Sequence, residues 1–359
     1  MIFVGHVEIV CSVQLFSPYM LHGTQICDAA DVLMFVSGYL YGQVYSNRIA
    51  ARGLWFAQLR STQRAIQVYL SNSITLVAVA VIAVGAPPGV FDPLGGGNLQ
   101  STPLQAIQLG LTLVELPFGF DILILYATLL IVMPTVLLWL NRCPLLAIGL
   151  SLLLYLIGCC IGLNLTRLYP VRLWQNFNPA SWQLLFVLAT YIAVYRESIR
   201  PFLRSRFLAC AAVIVVLSSF LARFIVPSLS DLNVTGDSFG RNWNRIVPFG
   251  DKATLGPLRI VNLIAIAYLC WGWGPKSESL KLSSLARPWI SCGRHSLQLF
   301  CFSLFLTWLS LPICGSNDTI AVALFYPPAF FFLYSFSRLT EYILNRFPNR
   351  VGSRRIQQA

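Results

Sequence analysis

The chain is poor in ionisable groups, so each one inside an apolar run is a candidate for chemistry. Only three histidines occur in 359 residues. His6 lies within the first apolar run, where hydrocarbon makes a titratable side chain costly and a functional role the default hypothesis. With an ordinary pKa near 6.5, an imidazole is well populated as the free base at neutral pH and suits general-base work. Glu8 is close in sequence but, at about 100° per helical residue, points about 200° away, so a partner for His6 must come from another element. The bland reading of His6 is a hydrogen bond that glues two helices together. Asp28 and Asp31, in Asp28-Ala29-Ala30-Asp31, share one helical face. As N-cap and third residue they would stabilise a helix start. The same geometry would let a carboxylate orient a histidine and stabilise its imidazolium. Both readings stay open. His295, in Cys292-Gly293-Arg294-His295-Ser296, stands at another helix start, and its bland reading is solvation at the membrane interface. His22 falls in a loop. Asp121 follows Pro117-Phe118-Gly119-Phe120 and suits either capping or catalysis.

The elements that must position these residues are membrane spans. Apolar side chains make up 57% of the chain and charged ones 11%, against roughly 45–50% and about 25% in soluble domains. The mean hydropathy is +0.69. Disorder, collagen-like fibres and a disulfide-stapled secreted module are excluded. Ten apolar runs approach span length: Met1–Phe16, Asp31–Tyr45, Ala65–Ala86, Phe120–Leu140, Pro144–Leu163, Ser181–Tyr195, Phe207–Val226, Pro257–Gly274, Trp289–Leu311 and Ile320–Tyr342. We therefore expect an all-α, polytopic membrane protein of about ten transmembrane helices, forming a single integral-membrane domain over 1–359. The first run is short, no basic residue precedes it, and it has no signal-peptide pattern, so a first helix truncated at its N-terminus is expected. The ten cysteines show no ligand spacing, and most lie in apolar runs, as small packing residues do.

The formal net charge of +12 would suggest nucleic acid in a soluble chain, but the basic residues lie mostly between spans. Arg48, Arg52, Arg60 and Arg64, then Arg142, then Arg196–Arg206, then Lys276–Arg287, and last Arg346–Arg355 fall in alternate linkers. The positive-inside rule makes those linkers cytoplasmic, and an even helix count puts both termini there too. Arg241, Arg245, Lys252 and Arg259 lie on the opposite side against that rule. They could attract an anionic substrate group, or simply solvate a loop. Among the outer linkers, Thr102–Glu115 reads as a short helix in the interface, with Leu104, Ile107, Leu111 and Val114 on one face. Gly95-Gly96-Gly97 lacks the lysine and spacing of a phosphate loop and reads as a hinge.

Several blocks together resemble the OpgC family, membrane proteins that succinylate osmoregulated periplasmic glucans. Asp28-Ala29-Ala30-Asp31 with Phe35-Val36-Ser37-Gly38-Tyr39 is similar to the family's "DAAE…FxSGY" signature. So are Leu116-Pro117 with Phe120-Asp121-Ile122-Leu123, and Phe177-Asn178-Pro179 with Trp182-Gln183-Leu184-Leu185-Phe186. Asp251-Lys252, Leu255-Gly256-Pro257-Leu258-Arg259, and Cys292-Gly293 with His295-Ser296-Leu297 follow in order. The resemblance implies a ten-helix relative of the acyltransferase 3 superfamily in a bacterial inner membrane. His6, in Val4-Gly5-His6-Val7, is similar to the family's first-helix histidine. The basic residue and aspartate that usually precede it are missing from this chain, and Asp31 replaces the usual glutamate, one methylene shorter.

The activity implied is O-acyl transfer from an acyl-coenzyme A donor, succinyl-coenzyme A, to hydroxyls of a periplasmic glucan. The catalytic candidates are His6, Asp28, Asp31 and His295. Asp121, Arg241, Arg245, Lys252 and Arg259 are candidates for the acceptor or the succinyl group, and Arg294 for the coenzyme A phosphates. The expected partners are the glucan, the donor and the lipid bilayer, with no nucleic acid, no metal and no tightly bound cofactor. A transporter or flippase of an envelope saccharide is the rival reading, and an inactive acyltransferase relative is the third. Inverted repeats or helices broken at mid-membrane would favour transport, and the sequence shows neither clearly.

Overall fold

The computed structural model describes residues 2–92, 96–160, 177–231, 250–273 and 287–346, and among these the secondary structure is helical with no strand. Helix α1 is Ile2–Val10 and α2 is Ala29–Gly85; α3 is the short Pro103–Leu111. Then follow α4 Asp121–Arg142, α5 Pro144–Cys160, α6 Pro179–Val194, α7 Arg206–Asp231 and α8 Pro257–Trp273. The chain closes with α9 Arg287–Arg294, α10 Ser296–Cys314 and α11 Thr319–Arg346. Among the described residues five helical stretches are long and apolar enough to cross a membrane, in α2, α4, α7, α10 and α11; α5, α6 and α8 are apolar but shorter. Large apolar side chains face outward, such as Leu145 at 86% and Val81 at 70% exposure. A soluble helical fold would bury such residues, whereas a lipid-facing surface is made of them. The prolines within α4, α10 and α11 are of a kind that membrane helices tolerate.

The 57-residue α2 is two helices in one assignment. Gly53 takes φ 81 and ψ 171, a conformation open to glycine and not to a helix. Ser61 Oγ then donates to the Tyr41 hydroxyl at 3.4 Å across twenty residues of sequence, a separation that a continuous helix would stretch to about 30 Å. The chain therefore reverses at Gly53, and 29–52 and 54–85 run antiparallel there. The two apolar runs expected here emerge as two helical arms, with the arginine linker at the bend.

The residues pack as two compact units. One holds, of the described residues, 16–73 and those from 104 to 273, hence α2 up to residue 73 and α3 to α8. The other holds, of the described residues, 3–15, those from 74 to 103, and 287–346, hence most of α1, the end of α2, and α9 to α11. In the first unit, Gly38 and Gly42 of α2 meet α6 backbone to backbone. A Cβ at Gly38 would lie 2.6 Å from the Phe186 carbonyl oxygen, and one at Gly42 would lie 2.8 Å from that of Thr190. The Thr190 hydroxyl donates to the Gly38 carbonyl at 3.0 Å. Two small residues four apart permit this approach, as in many membrane helix pairs. Gly38→Leu is expected to destabilise the protein by about 1–3 kcal/mol through overpacking, read as a lowered unfolding midpoint in detergent. An unchanged midpoint would show that the two helices do not depend on this approach.

In the second unit, α1 is only nine residues long and ends before the span expected from its run. Ser12 takes φ 56, which breaks the helix. The buried Glu8 side chain then accepts the Leu15 amide at 3.1 Å and the Tyr326 hydroxyl, from α11, at 3.2 Å. In the first unit, the short helix expected at Thr102–Glu115 is found as α3, Pro103–Leu111. It buries Ala106 and Gly110 and leaves Leu104 84% exposed.

Candidate functional site: a buried charge cluster at the start of the second helix

The first turn of α2 is built by its own aspartates. Asp28 Oδ1 accepts the Ala30 amide at 2.8 Å and the Asp31 amide at 3.4 Å, and Asp31 Oδ2 accepts the Asp28 amide at 2.7 Å. This is a reciprocal capping box made with two aspartates, and it satisfies donors that the helix start would leave unpaired. The capping reading of the pair is thus realised in full.

The same carboxylates also hold cations from the far side of the unit. Arg259 Nη2 lies 2.6 Å from Asp31 Oδ2 and 3.1 Å from Asp28 Oδ2, and Lys252 Nζ lies 3.0 Å from Asp28 Oδ2. Asp31 is wholly buried and the Arg259 side chain is 7% exposed, while Lys252 is 45% exposed. Burial opposes ionisation of Asp28, but Lys252 and Arg259 outweigh it and hold the carboxyl down at about 2. A lowered folded-state pKa contributes stability above the ordinary value near 3.8, lost only as pH falls toward about 2. The Asp28 ion pairs therefore persist through mildly acidic conditions. Asp31 Oδ1 and Arg259 Nε are buried with no hydrogen-bond partner among the described residues. Capping and ion pairing thus leave one acceptor and one donor of the cluster unused.

Residues around the cluster fix the two loops that supply it. Arg259 Nη1 donates to the Ile26 carbonyl at 3.2 Å, the Cys27 amide to Asn262 Oδ1 at 3.2 Å, and Asn262 Nδ2 to Gln25 Oε1 at 2.9 Å. Asn178 caps α6 by accepting the Ala180 amide, and its own amide donates to the Ala253 carbonyl at 2.8 Å. Trp182 Nε1 donates to the Lys252 carbonyl at 3.0 Å, and Tyr155 to the Leu255 carbonyl at 3.1 Å. Asp251 Oδ2 closes the turn by accepting from the amide and hydroxyl of Thr254, each at 2.8 Å. Blocks from four separate stretches of sequence thus converge on one assembly. Burial, with Asp31 beside it, pushes the Cys27 thiol up to about 12, which leaves it an inert packing residue.

The remaining candidates fall elsewhere. Asp121 opens α4, 5% exposed, with Oδ1 accepting the Ile122 amide at 3.0 Å. His6 sits half-buried on α1 in the second unit. In that unit His295 is half-buried just before α10, and the exposed Arg294 lies 3.7 Å from Glu341 of α11, which also pairs with Arg338 at 2.9 Å. Arg241 and Arg245 lie outside the described residues. His22 accepts Arg223 through its carbonyl, at 2.7 Å from Nη2. A groove of about 590 Å³ between α4, α5 and α6 is lined by Met133, Leu150, Leu154 and Val187. It carries no charged residue and so lacks the groups for acyl transfer. Among the described residues, no group of three or more His, Cys, Asp or Glu is placed to hold a metal ion.

Two partners escaped the sequence reading. Arg259 was legible as a cation on the unexpected side, but no spacing pairs it with Asp28 and Asp31, more than two hundred residues away. Tyr326 as the partner of Glu8 left no signal in the sequence.

Among the described residues, helical secondary structure, outward-facing apolar side chains and five helices long and apolar enough to span a bilayer define a membrane protein. The family model of the OpgC protein matches residues 1–326. The chain belongs to the OpgC family. No curated protein and no solved structure matches it.

Proposed function

We propose that this chain is an inner-membrane O-acyltransferase that moves a succinyl group from succinyl-coenzyme A to hydroxyls of a periplasmic glucan. Membership of the OpgC family over residues 1–326 is the observation that carries this reading. Helices near each of the ten apolar runs, with the α2 reversal counted as two, support the reading of ten spans, and the arginine-rich alternate linkers support cytoplasmic termini. In the proposed reaction the glucan hydroxyl oxygen attacks the thioester carbonyl, the carbon–sulfur bond breaks, and coenzyme A leaves as its thiol. His6 takes the hydroxyl proton as general base, or its ring nitrogen first accepts the acyl group and passes it on. Asp28, with Asp31 as the alternative, is the carboxylate assigned to the reaction. Arg294 meets the phosphates of the donor, with His295 beside it. Asp121 and Lys252 serve the acceptor, and Lys252 has the exposure for it; the charge of Arg259 is used within the fold.

The test is transfer of isotope-labelled succinate from succinyl-coenzyme A to periplasmic glucan by the full-length protein in membranes. Labelled glucan is expected, and unlabelled glucan with the thioester intact would overturn the proposal. Asp28→Asn separates catalysis from capping. Asparagine caps about as well as aspartate, so the protein is expected in the membrane at normal levels. The negative charge at this position is lost, and transfer should fall by at least about tenfold, or about 1.4 kcal/mol in the barrier. Near-full activity in both Asp28→Asn and Asp31→Asn would reduce the pair to a structural role.

A further inference from the structure

We propose that Cys11 and Cys314 become joined by a disulfide, which ties the extracytoplasmic end of α1 to that of α10. Cys11 follows the last turn of α1, with its amide bonded to the Val7 carbonyl at 2.9 Å. Cys314 is the last residue of α10. Ser310 and Cys314 are four residues apart on α10 and so share one face of that helix. Cys11 Sγ lies 3.6 Å from Ser310 Oγ, one turn before Cys314 on α10. Just beyond α10, the Asn317 amide donates to the Cys11 carbonyl at 2.8 Å, so the backbone on either side of the pair is pinned. A disulfide needs Cβ atoms about 3.5–4.5 Å apart and sulfurs at about 2.05 Å. With Cys11 Sγ against Ser310 and Cys314 one turn further on the same face, side-chain rotation can bring the two sulfurs together.

Charge places this end of both helices in an oxidising compartment. The linkers after α1 and after α10, residues 11–28 and 315–318, contain no lysine or arginine, whereas Arg48 and Arg52 mark the far end of the 29–52 arm and Arg287 and Arg294 precede α10. The basic ends are cytoplasmic by the positive-inside rule, and the cysteine ends face the side where disulfides persist. The inference rests on the orientation proposed above, and not on the acyl-transfer reading.

The oxidant is a disulfide carrier of that compartment. One cysteine thiolate attacks the carrier disulfide, forming a mixed disulfide and releasing one carrier thiol. The second thiolate attacks the mixed disulfide, which forms the Cys11–Cys314 bond and releases the other carrier thiol. Two protons leave the protein thiols, and two electrons reduce the carrier. Cys11 is wholly buried and Cys314 6% exposed. Oxidation therefore belongs to folding, before the unit closes. The bond would fix the helix that carries His6 to α10.

The experiment maps thiols in the full-length protein from membranes. Free thiols are blocked with N-ethylmaleimide in denaturant without reductant, then reduced and blocked with an isotope-heavy maleimide, and read by peptide mass spectrometry. Cys11 and Cys314 are expected to carry only the heavy label, with a Cys11–Cys314 peptide pair in the unreduced digest. In Cys11→Ser, Cys314 is expected to shift to the light label, and in Cys314→Ser, Cys11 likewise. Light label on both cysteines of the unsubstituted chain would overturn the disulfide. A membrane-impermeant maleimide on intact cells tests the orientation separately, because Cys143 and Cys210 should then be shielded in the cytoplasm. Their labelling from outside would overturn the orientation and the compartment argument with it. Shielding of both, with Cys11 and Cys314 reduced, would overturn the disulfide alone and leave the function untouched.

Discussion

His6→Gln is expected to leave the protein in the membrane at normal levels and to cut glucan acylation by about 10²–10⁴-fold, the range forfeited when a general base is removed. Glutamine keeps a polar, hydrogen-bonding side chain of similar length, so the packing of α1 should survive. What it cannot do is take a proton or carry an acyl group at neutral pH. The measurement is labelled succinyl transfer normalised to protein in the membrane, with pH varied across the histidine range. Loss of turnover with KM for the donor little changed is the pattern expected of a group that acts in the transition state. Wild-type transfer in His6→Gln would remove the histidine from the mechanism whatever the fold does. A protein that disappears from the membrane would instead assign His6 the gluing role that a polar residue between helices can have.

Hydropathy and charge made the helices legible, and local backbone chemistry decided where they deviate. The runs Asp31–Tyr45 and Ala65–Ala86 were read as two spans, and the reversal between them falls at Gly53, in a linker without a turn dipeptide. One glycine at positive φ suffices, and nothing in the surrounding composition distinguishes it from Gly38 or Gly42, which serve close packing instead. The first run, Met1–Phe16, is long enough to read as a span, yet its helix stops at Val10 because Ser12 turns the chain. Apolarity measures what a segment can bury, not whether its backbone stays helical. At the site, the spacing of Asp28 and Asp31 was enough to foresee the capping box, since capping is local. The ion pairs with Lys252 and Arg259 were invisible because they join helix starts far apart in sequence. Ordered motif blocks nevertheless pointed to them collectively: Asn178, Trp182, Lys252, Leu255 and Arg259 converge on one assembly.

Arg259→Met is expected to destabilise the protein by about 3–5 kcal/mol, the usual cost of leaving one partner of a buried ion pair behind. Methionine fills much of the arginine's apolar volume, so the loss isolates charge from packing. Asp31 would stay wholly buried, with Lys252 placed on Asp28 rather than on it. Adding Asp31→Asn removes the stranded charge while keeping an acceptor for the Asp28 amide. The double variant should therefore regain most of the lost stability, a coupling that a double-mutant cycle measures directly. Unfolding in detergent gives the stability arm, and a wild-type midpoint for Arg259→Met alone would show that the ion pair is energetically idle. The activity arm asks a different question. Asp31 Oδ1 and Arg259 Nε are the polar atoms that neither capping nor pairing uses. If they only complete a folding device, the double variant regains transfer along with stability. If the cluster acts in the reaction, stability returns while acylation stays at least about tenfold down, a barrier increase of about 1.4 kcal/mol. The second outcome is the one expected, because a purely structural role could be met by apolar side chains of similar volume at no loss in stability.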